Sequence, residues 1–412
     1  MTTILHTADW HLGANLYNEN LEEEHQLFLD WLTTECLPEV KPQVLIISGD
    51  VFDKANPTVN ARKMYFKFLA KLIDLNIKQV IITAGNHDSA SMLEAPKELL
   101  EYLNIHIIGN APGDVQELLI SVIGDNNEVV AKVAAVPFLR EQDVRFSQFG
   151  DNEETRETSL RKGIFDYFNA VFNAAFDSRK HGIPLICMGH LFASGVTISD
   201  SERPVQIGNL ADVGADCFPE EKVDYVALGH IHRPQNVGGT NHIWYSGSPI
   251  ALSFSEWSHP KSLRVITLDG LKVHSEAIEI PKFRELIRLE GTFEEVKEKE
   301  KTITNSVQLP AFLDITITEL KYDSSIGKDI TSWVQQISEL RKRVYKVAAY
   351  RYGFLNKPTS LSRLMDSKSL SETTPLEIFN KLLEAKNADK GLTETYTTIF
   401  HELFAQIQNE EN

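Results

Sequence analysis

The sequence predicts an α/β protein in which two sheets pack face to face and helices cover their outer sides. Three features support this prediction. In the first half, short apolar runs alternate with amphipathic stretches, which is typical of βαβ units on a mostly parallel sheet. A second set of apolar runs follows, and some of its strands are expected to be antiparallel. From about residue 281 the chain becomes rich in charge and follows a β-α-β-α-β pattern, which predicts a small α+β domain.

The individual elements are predicted from hydrophobic patterning. Strands of the first set are expected in "TILHTA", "QVLIIS" and "QVIITA", which begin at residues 3, 43 and 79. Helices are expected to follow these strands over residues 21–37, 59–75 and 91–103. In the second set, a helix is expected over 158–180 and strands are expected in "VVAKVAAVPF", "PLICMGH", "DYVALGH", "HIWYSGSP" and "SLRVITL".

The length of 412 residues exceeds what one hydrophobic core usually supports, so more than one domain is expected. We expect the large α/β domain over residues 1–280 and the small α+β domain over 281–352. A linker and a helical tail are expected over 353–412, with the polar stretch 353–372 as the linker.

The tail contains the signals of two short amphipathic helices. Thr374, Pro375 and Glu377 stand in the order of an N-cap, a first helical residue and a capping-box glutamate. Farther on, one apolar face with helical spacing is formed by Tyr396, Ile399, Phe400, Leu403, Phe404 and Ile407. These helices either pack against the chain's own domains or dock on a helix or groove of a partner.

The composition excludes some classes of function. The N-terminus lacks a basic segment followed by an apolar one, and no apolar run approaches the roughly 18 residues of a membrane span, so a cytoplasmic, unanchored protein is expected. Cys36, Cys187 and Cys217 are widely spaced, which indicates neither a disulfide framework nor a cysteine zinc site. The net charge of −17 argues against a protein that coats nucleic acid by itself, so a role on nucleic acid requires bound cations or a basic partner.

Metal-ligand residue types follow the predicted strands repeatedly. His230 and His232 stand two residues apart after an apolar run, a spacing that projects both imidazoles to the same side. In open α/β sheets, functional groups gather just beyond the carboxyl ends of the strands. The residues expected there are Asp9, His11, Asp50, Asn86, His190, His230 and His232.

This mixed set of carboxylate, imidazole and amide donors suits Mn²⁺, Fe²⁺ or Zn²⁺ better than Mg²⁺ or Ca²⁺. Seven donors are too many for one ion, but two sites of four donors result if the Asp50 carboxylate is shared. Two ions about 3.5–4 Å apart clamp a phosphoryl group and lower the pKa of a bridging water, so that hydroxide attacks in line. The predicted reaction is therefore phosphoester hydrolysis.

A leaving alkoxide needs a proton, and His87 beside the expected ligand Asn86 is placed to donate it. We expect Asp88 to hold the other nitrogen of this imidazole and to favour its protonated form. Asp53, on the turn after Asp50, either supports the same network or caps a helix.

The strand-end motifs resemble a known family. In order, "DWH", "GDVFD", "GNHDS", "GHLFASG" and "GHIHRPQ" are similar to the five signatures of the calcineurin-like metallophosphoesterases. More narrowly, "ILHTADWHLG", "SDSERPVQIG", "DYVALGHIHRPQ" and "YSGSPIALSFSE" resemble the SbcD-type DNA exonuclease subunits. The resemblance covers roughly the first 280 residues, whereas the small domain and the tail fit it in organisation more than in motif.

The resemblance implies a site with two Mn²⁺ ions. It assigns the first ion to Asp9, His11, Asp50 and His232, and the second to Asp50, Asn86, His190 and His230. His87 would be the catalytic histidine.

The resemblance also implies a substrate and partners. Such nucleases degrade duplex DNA ends and cleave hairpins or single strands in DNA repair and recombination, together with an SbcC-type coiled-coil ATPase. Residues 281–352 would be a capping domain that helps to align DNA, and the tail would grip the base of the ATPase coiled coil. The family commonly forms a homodimer, here within a heterotetramer.

Two other classes of function remain open. A phosphatase or small-substrate phosphodiesterase would use the same metal site, although Lys54 stands after Asp53 where the phosphoprotein phosphatases have an arginine. A non-catalytic scaffold would be expected to lose ligands, whereas all seven and His87 are present.

Overall fold

The computed structural model describes residues 2–75, 77–144, 153–202, 213–321 and 325–356, together with Leu376, Phe379, Leu383, Tyr396, Thr397, Ile399 and Phe400. Strands β1 to β9 are Thr2–Thr7, Asn15–Leu16, Glu19–Asn20, Val44–Ser48, Gln79–Thr83, Ile105–Ile108, Leu119–Ile123, Val129–Ala135 and Leu185–His190. Strands β10 to β17 are Tyr225–Gly229, Gln235–Asn236, Ile243–Tyr245, Ser262–Asp269, Lys272–Glu279, Arg284–Gly291, Leu309–Lys321 and Tyr345–Asn356. Helices α1 to α9 are Glu22–Trp31, Leu37–Val40, Val59–Asp74, Ala90–Glu94, Lys97–Glu101, Glu141–Val144, Glu153–Lys180, Phe293–Lys301 and Ile326–Leu340.

The first large sheet has the strand order β14-β13-β1-β4-β5-β6. Strands β1, β4, β5 and β6 are parallel, whereas β13 and β14 are antiparallel additions at one side. The strand β4 is buried along its whole length, which explains its unbroken run of apolar residues.

The second large sheet has the order β11-β12-β10-β9-β8-β7. Its central strands β8, β9, β10 and β12 are parallel, and the edge strands β7 and β11 are antiparallel. Because the strands β9 and β10 run side by side, their carboxyl ends lie at the same edge of this sheet.

The two sheets pack face to face with helices outside. On the first sheet, Ile46 and Ile81 share a core cluster with Ile186 and Val226 of the second. Alternate residues such as Leu45 face the other way and form a second cluster with aromatic side chains of α1 and α3. The outer side of the second sheet is covered by α7. The predicted α/β class with two packed sheets is therefore confirmed.

The predicted helices and strands of the two large sheets are present within a few residues of their expected limits. The first predicted helix is α1 continued by a π-helical turn over Leu32–Cys36 into α2, and the third is divided into α4 and α5. Strands β6, β7 and β14 are additions that the patterning does not predict.

The predicted β-α-β-α-β order after residue 281 is observed as β15, α8, β16, α9 and β17, and the strands form a sheet of order β15-β16-β17. Helix α8 begins with a capping box in which Thr292 and Glu295 satisfy each other's backbone N–H groups. Strand β17 runs to Asn356, so residues 353–356 belong to the sheet and not to the linker predicted from residue 353.

The Cα positions cluster into two compact units. The first comprises Met1–Arg288, Ile303–Asp314 and Ser338–Ala349, and the second comprises Leu289–Thr302, Ile315–Ile337 and Tyr350–Asn412. The expected domains 1–280, 281–352 and 353–412 stay a prediction.

In the tail, the described residues are helical, and the rings of Phe379 and Phe400 stack with centroids 4.5 Å apart. This contact joins residues of the two predicted tail helices. The predicted linker residues 357–372 and Thr374, Pro375, Glu377, Leu403, Phe404 and Ile407 lie outside the described residues. Among the described helices, none has an apolar stretch long enough to cross a membrane.

Candidate metal centre

The seven predicted donors lie together where the two large sheets meet. Strand β1 leads to Asp9 and His11, β4 leads to Asp50, and β5 leads to Asn86. His190 is the last residue of β9, and His230 and His232 follow β10. All are buried except Asn86, which is half-buried. Residues from 9 to 232 therefore converge because parallel strands end at the same edge.

The backbone at these positions is unusual. Asp9, His11, Asp50 and His230 have left-handed φ values of 54°, 47°, 50° and 101°. Such values are uncommon for residues other than glycine and tend to occur at functional sites, where the surrounding structure compensates the strain. Gly49, directly before Asp50, also has a positive φ of 84°. A Cβ atom at Gly49 would lie 2.2 Å from Nδ1 of His190. Glycine is therefore required for the close approach of these two strand ends.

One group of donors is formed by Asp9, His11 and His232, whose ligand atoms lie within 4.8 Å of one another. The Nε2 atoms of His11 and His232 are 3.1 Å apart. The backbone N–H of His230 donates to Oδ1 of Asp9 at 2.8 Å. The group is thus built from both sheets.

A second group surrounds Asn86. Its Oδ1 atom lies 3.0 Å from both Nε2 of His190 and Nδ1 of His230. The Asp50 atom Oδ2 lies 3.3 Å from Nε2 of His190 and 3.5 Å from Nε2 of His11. Asp50 therefore stands between the two groups of donors, as a shared carboxylate requires.

The side chains fit a divalent cation. Within the described residues, the buried Oδ2 of Asp9 has no hydrogen-bond partner, although it lies among imidazole nitrogens. An unpaired buried carboxylate oxygen is costly unless a proton or a cation compensates it. Carboxylate, imidazole and amide donors at these distances are typical of sites for divalent transition metals.

The pKa values reflect this crowding of buried groups. Burial raises the pKa of Asp9 to about 7, with a further contribution from Asp50. Burial opposes ionisation of Asp50 as well, but His190 and His11 outweigh it and hold its pKa well below the usual range. Burial would lower the pKa of His190, yet Asp50 raises it to about 9. Burial and the nearby His190 lower the pKa of His230 to about 3.

His87 lies at the rim of the cluster, half-buried, with its ring centroid 4.8 Å from that of His11. Its Nδ1–H group donates to the backbone carbonyl of Asp53 at 2.8 Å, and its backbone N–H donates to Oδ1 of Asp50 at 2.8 Å. Burial lowers the pKa of this imidazole, so the neutral form is favoured.

Asp88 does not hold the imidazole of His87, and that prediction is wrong. Its two carboxylate oxygens accept the backbone N–H groups of Val51, Phe52 and Gly85 at 3.1, 2.9 and 2.9 Å. Burial, then the charge of Asp50, raise its pKa to about 6. The role of Asp88 is to fix the loops that carry Asp50 and Asn86.

Asp53 contacts two histidines of the site, one through its backbone carbonyl and one through its carboxylate. Its backbone carbonyl orients His87, and its Oδ1 lies 3.6 Å from Nδ1 of His11. Helix α3 is capped by Thr58, whose side chain accepts the N–H of Ala61, so the alternative that Asp53 caps this helix is wrong.

Four polar residues without a predicted role surround His232. Ser201 and Glu202 come from the segment after β9, and Glu256 and Lys261 come from the segment between β12 and β13. Glu256 and Lys261 form a buried ion pair. Burial raises the pKa of Glu256, but Lys261 and His232 outweigh it and hold the pKa well below the usual range. Ser201, Glu202 and Glu256 lie in two of the stretches that carry the family resemblance. Their contacts with His232 form only in the folded chain, so local spacing could not have indicated a role for them.

Comparison with protein families agrees with the geometry. Residues 2–234 match the calcineurin-like phosphoesterase family, and residues 282–387 match a family described as the type 5 capsule protein repressor C-terminal domain.

Several curated relatives are SbcD subunits of the nuclease SbcCD. That of Escherichia coli K12 is 33% identical over 407 residues, which are 97% of this chain and 98% of the relative. That of Rhodobacter capsulatus is 37% identical over 65% of this chain and 66% of the relative. That of Bacillus subtilis is 32% identical over 64% of this chain and 65% of the relative.

Proposed function

The chain belongs to the calcineurin-like phosphoesterases and, within them, to the SbcD-type nuclease subunits, and on this premise we propose that it hydrolyses DNA phosphodiesters in a complex with an SbcC-type ATPase. It is a hydrolase of the phosphodiesterase class. The observation that carries the proposal is the convergence of seven donors from five strand ends, with Asp50 between the two groups. We propose action on duplex ends as an exonuclease and on hairpins and single strands as an endonuclease, in DNA repair and recombination.

The donors divide into two sites in this proposal. Asp9, His11, Asp50 and His232 would hold one divalent ion, and Asp50, Asn86, His190 and His230 would hold the other. When bound, two Mn²⁺ ions supply positive charge to the phosphoryl oxygens and acidify the attacking water. The Asp50 carboxylate would be shared by the two sites, and the buried carboxylates and imidazoles exclude bulk water from the reacting centre.

His87 exchanges the proton in this proposal. Because its Nδ1–H group donates to the carbonyl of Asp53, Nε2 is the nitrogen that exchanges a proton, and donation to the leaving oxygen requires the imidazolium form, in which both nitrogens carry protons. The carbonyl of Asp53 fixes the ring, and the Oδ1 of Asp50 fixes the backbone N–H of the same residue. Both contacts tie the position of the proton donor to the metal-binding loops.

The charge of the chain supports the assignment of a partner. A net charge of −17 opposes approach to a polyanion, so most phosphate contacts are assigned to the ATPase partner. Residues 281–352 would act as a capping domain that aligns DNA, and residues 357–412, after strand β17, would link and bind the coiled coil of the partner. We place this complex in the cytoplasm.

Helix α3 offers a surface for a homodimer within that complex. Tyr65, Phe68 and other residues of one face lie in the core. On the opposite face, Val59, Phe66 and Ile73 are 58%, 43% and 55% exposed at a spacing of seven residues, which aligns them along the helix. We propose that a second copy of the chain covers this stripe.

The proposed function is tested by cleavage of a labelled DNA hairpin with Mn²⁺, with and without the ATPase partner and ATP. A small phosphodiester is the parallel substrate. We expect DNA cleavage that increases with partner and ATP. Intact DNA in every mixture, with turnover of the small diester, would instead assign the chain to the small-substrate phosphodiesterases.

A further inference from the structure

His232 is held at three points by side chains from other parts of the chain. Oε1 of Glu202 accepts its backbone N–H at 2.7 Å, and Nζ of Lys261 donates to its backbone carbonyl at 3.1 Å. Oγ of Ser201 lies 2.6 Å from its ring Nδ1. We call Ser201, Glu202, Glu256 and Lys261 the Glu256 network.

Glu256 is the centre of this network. It is 2% exposed, and its Oε1 accepts the hydroxyls of Ser201 at 2.5 Å and of Ser253 at 3.2 Å. Its Oε2 accepts from Nζ of Lys261, which also donates to Oγ of Ser248 at 2.8 Å. A carboxylate paired with a buried ammonium accepts hydrogen bonds only, so the hydroxyl of Ser201 must be the donor.

The direction of these hydrogen bonds fixes the protonation of His232. Since the proton of Ser201 is used on Glu256, its Oγ lone pair accepts from Nδ1–H of the imidazole. The proton of the neutral ring is therefore on Nδ1, and the lone pair is on Nε2, which lies 3.1 Å from Nε2 of His11. A metal ion would be coordinated through this lone pair of Nε2.

The ring of His190 is held in a different way from that of His232. Nδ1–H of His190 donates to the backbone carbonyl of Ser48 at 2.9 Å, so the main chain fixes that ring. For His232, the same task is performed by a serine hydroxyl that begins a chain of side-chain groups. Groups that hydrogen-bond the outer nitrogen of a ligand histidine fix its tautomer and tune its metal affinity.

We propose that Ser201 and Glu256 are positioning residues that present Nε2 of His232 to one of the two metal ions. The inference rests on the proposed function, since it takes His232 as a ligand of the first ion site only. It predicts that loss of the Ser201 hydroxyl weakens one ion of two and leaves the other unchanged.

The test is a titration of metal-depleted protein with Mn²⁺, followed by electron paramagnetic resonance of the free ion. Ser201→Ala should lower one of two affinities by about 10- to 100-fold. Ser201→Thr retains the hydroxyl, so both of its Mn²⁺ affinities should equal those of the wild type. Ser255→Ala is the matched control, because the Ser255 hydroxyl hydrogen-bonds Ser253 and the N–H of Asp200 and, within the described residues, makes no hydrogen bond to the side chain of Glu256 or His232. Glu256 itself stays intact, since its removal would leave buried Lys261 unpaired.

A second readout needs no metal. In ¹⁵N-histidine NMR spectra of the metal-free wild type, the neutral ring of His232 should be the Nδ1–H tautomer, and in Ser201→Ala this tautomer should lose population. Two unchanged affinities in Ser201→Ala, or an equal loss at both sites, would overturn the positioning role. A wild type that takes up fewer than two ions would instead contradict the proposed two-ion site.

Discussion

Asn86, His87 and Asp88 are consecutive residues that have three different surroundings. Asn86 faces two imidazoles, His87 is fixed by the carbonyl of Asp53, and Asp88 accepts three backbone N–H groups. Adjacent positions on one turn thus supply the proposed metal donor Asn86, the proposed proton donor His87 and the loop anchor Asp88. Mutation of His87 should therefore lower the hydrolytic rate, whereas mutation of Asp88 should lower the stability of the fold.

His87→Gln should bind both ions and lose most of the hydrolytic rate. Glutamine cannot transfer a proton at neutral pH, and acid catalysis commonly contributes about 10²–10⁴-fold. The measurements are turnover of a small phosphodiester and the number of bound Mn²⁺ ions. Asp50→Asn is the contrasting variant, because it should weaken both ion sites. Loss of an ion from His87→Gln would make His87 a ligand instead.

Asp88→Ala should destabilise the fold. Three buried N–H donors would lose their acceptor at a cost of about 1–3 kcal/mol each, so the free energy of unfolding should fall by at least about 3 kcal/mol. Urea denaturation in the presence of a chelator measures this. Asp114→Ala is the control, since exposed Asp114 accepts one N–H, from Gln116, and should cost at most about 2 kcal/mol. Unchanged stability with lost rate would return Asp88 to the proton-transfer step.

At the scale of elements, the strands that carry the site were predictable because they are buried on both faces. Runs such as that of β4 are continuously apolar and end abruptly in polar donors. Strand β14 pairs only with β13 at the sheet edge and exposes most of its side chains, so it has no apolar pattern to read. The donors could be read from single strand ends, whereas the Glu256 network depends on segments that meet only in three dimensions.

The exposed face of helix α3 can be tested as the homodimer interface by mutation. Phe66→Lys should convert a dimer into a monomer, because it places a charge in the middle of the apolar stripe. Sedimentation velocity measures the change. Leu271→Lys is the control, since Leu271 is similarly exposed, at 46%, on the turn between β13 and β14. A wild type that is already monomeric, or a Phe66→Lys variant that stays dimeric, would show that α3 does not form a dimer interface.

At the scale of the whole molecule, the proposed metal centre and the tail proposed to bind the partner belong to separate compact units. All seven donors lie in the first compact unit, and the described tail residues lie in the second. The stacking of Phe379 on Phe400 indicates that the two tail helices contact each other. The sequence predicted these helices but left open whether they bind the chain's own domains or a partner.

Deletion of residues 373–412 should leave hydrolysis of a small phosphodiester near the wild-type rate and abolish capture of the ATPase partner. The expectation follows because none of the donors lies in the deleted segment. Co-purification with the partner and a parallel rate assay measure the two effects. An unfolded or inactive product would show that the tail stabilises the chain's own domains.

The central claim is that the strand ends form one centre for two ions that share Asp50. Anomalous diffraction from crystals grown with Mn²⁺ tests it most directly. We expect two peaks about 3.5–4 Å apart, with Asp50 between them and His232 and His190 on opposite ions. A single peak, or two peaks that do not share Asp50, would contradict it.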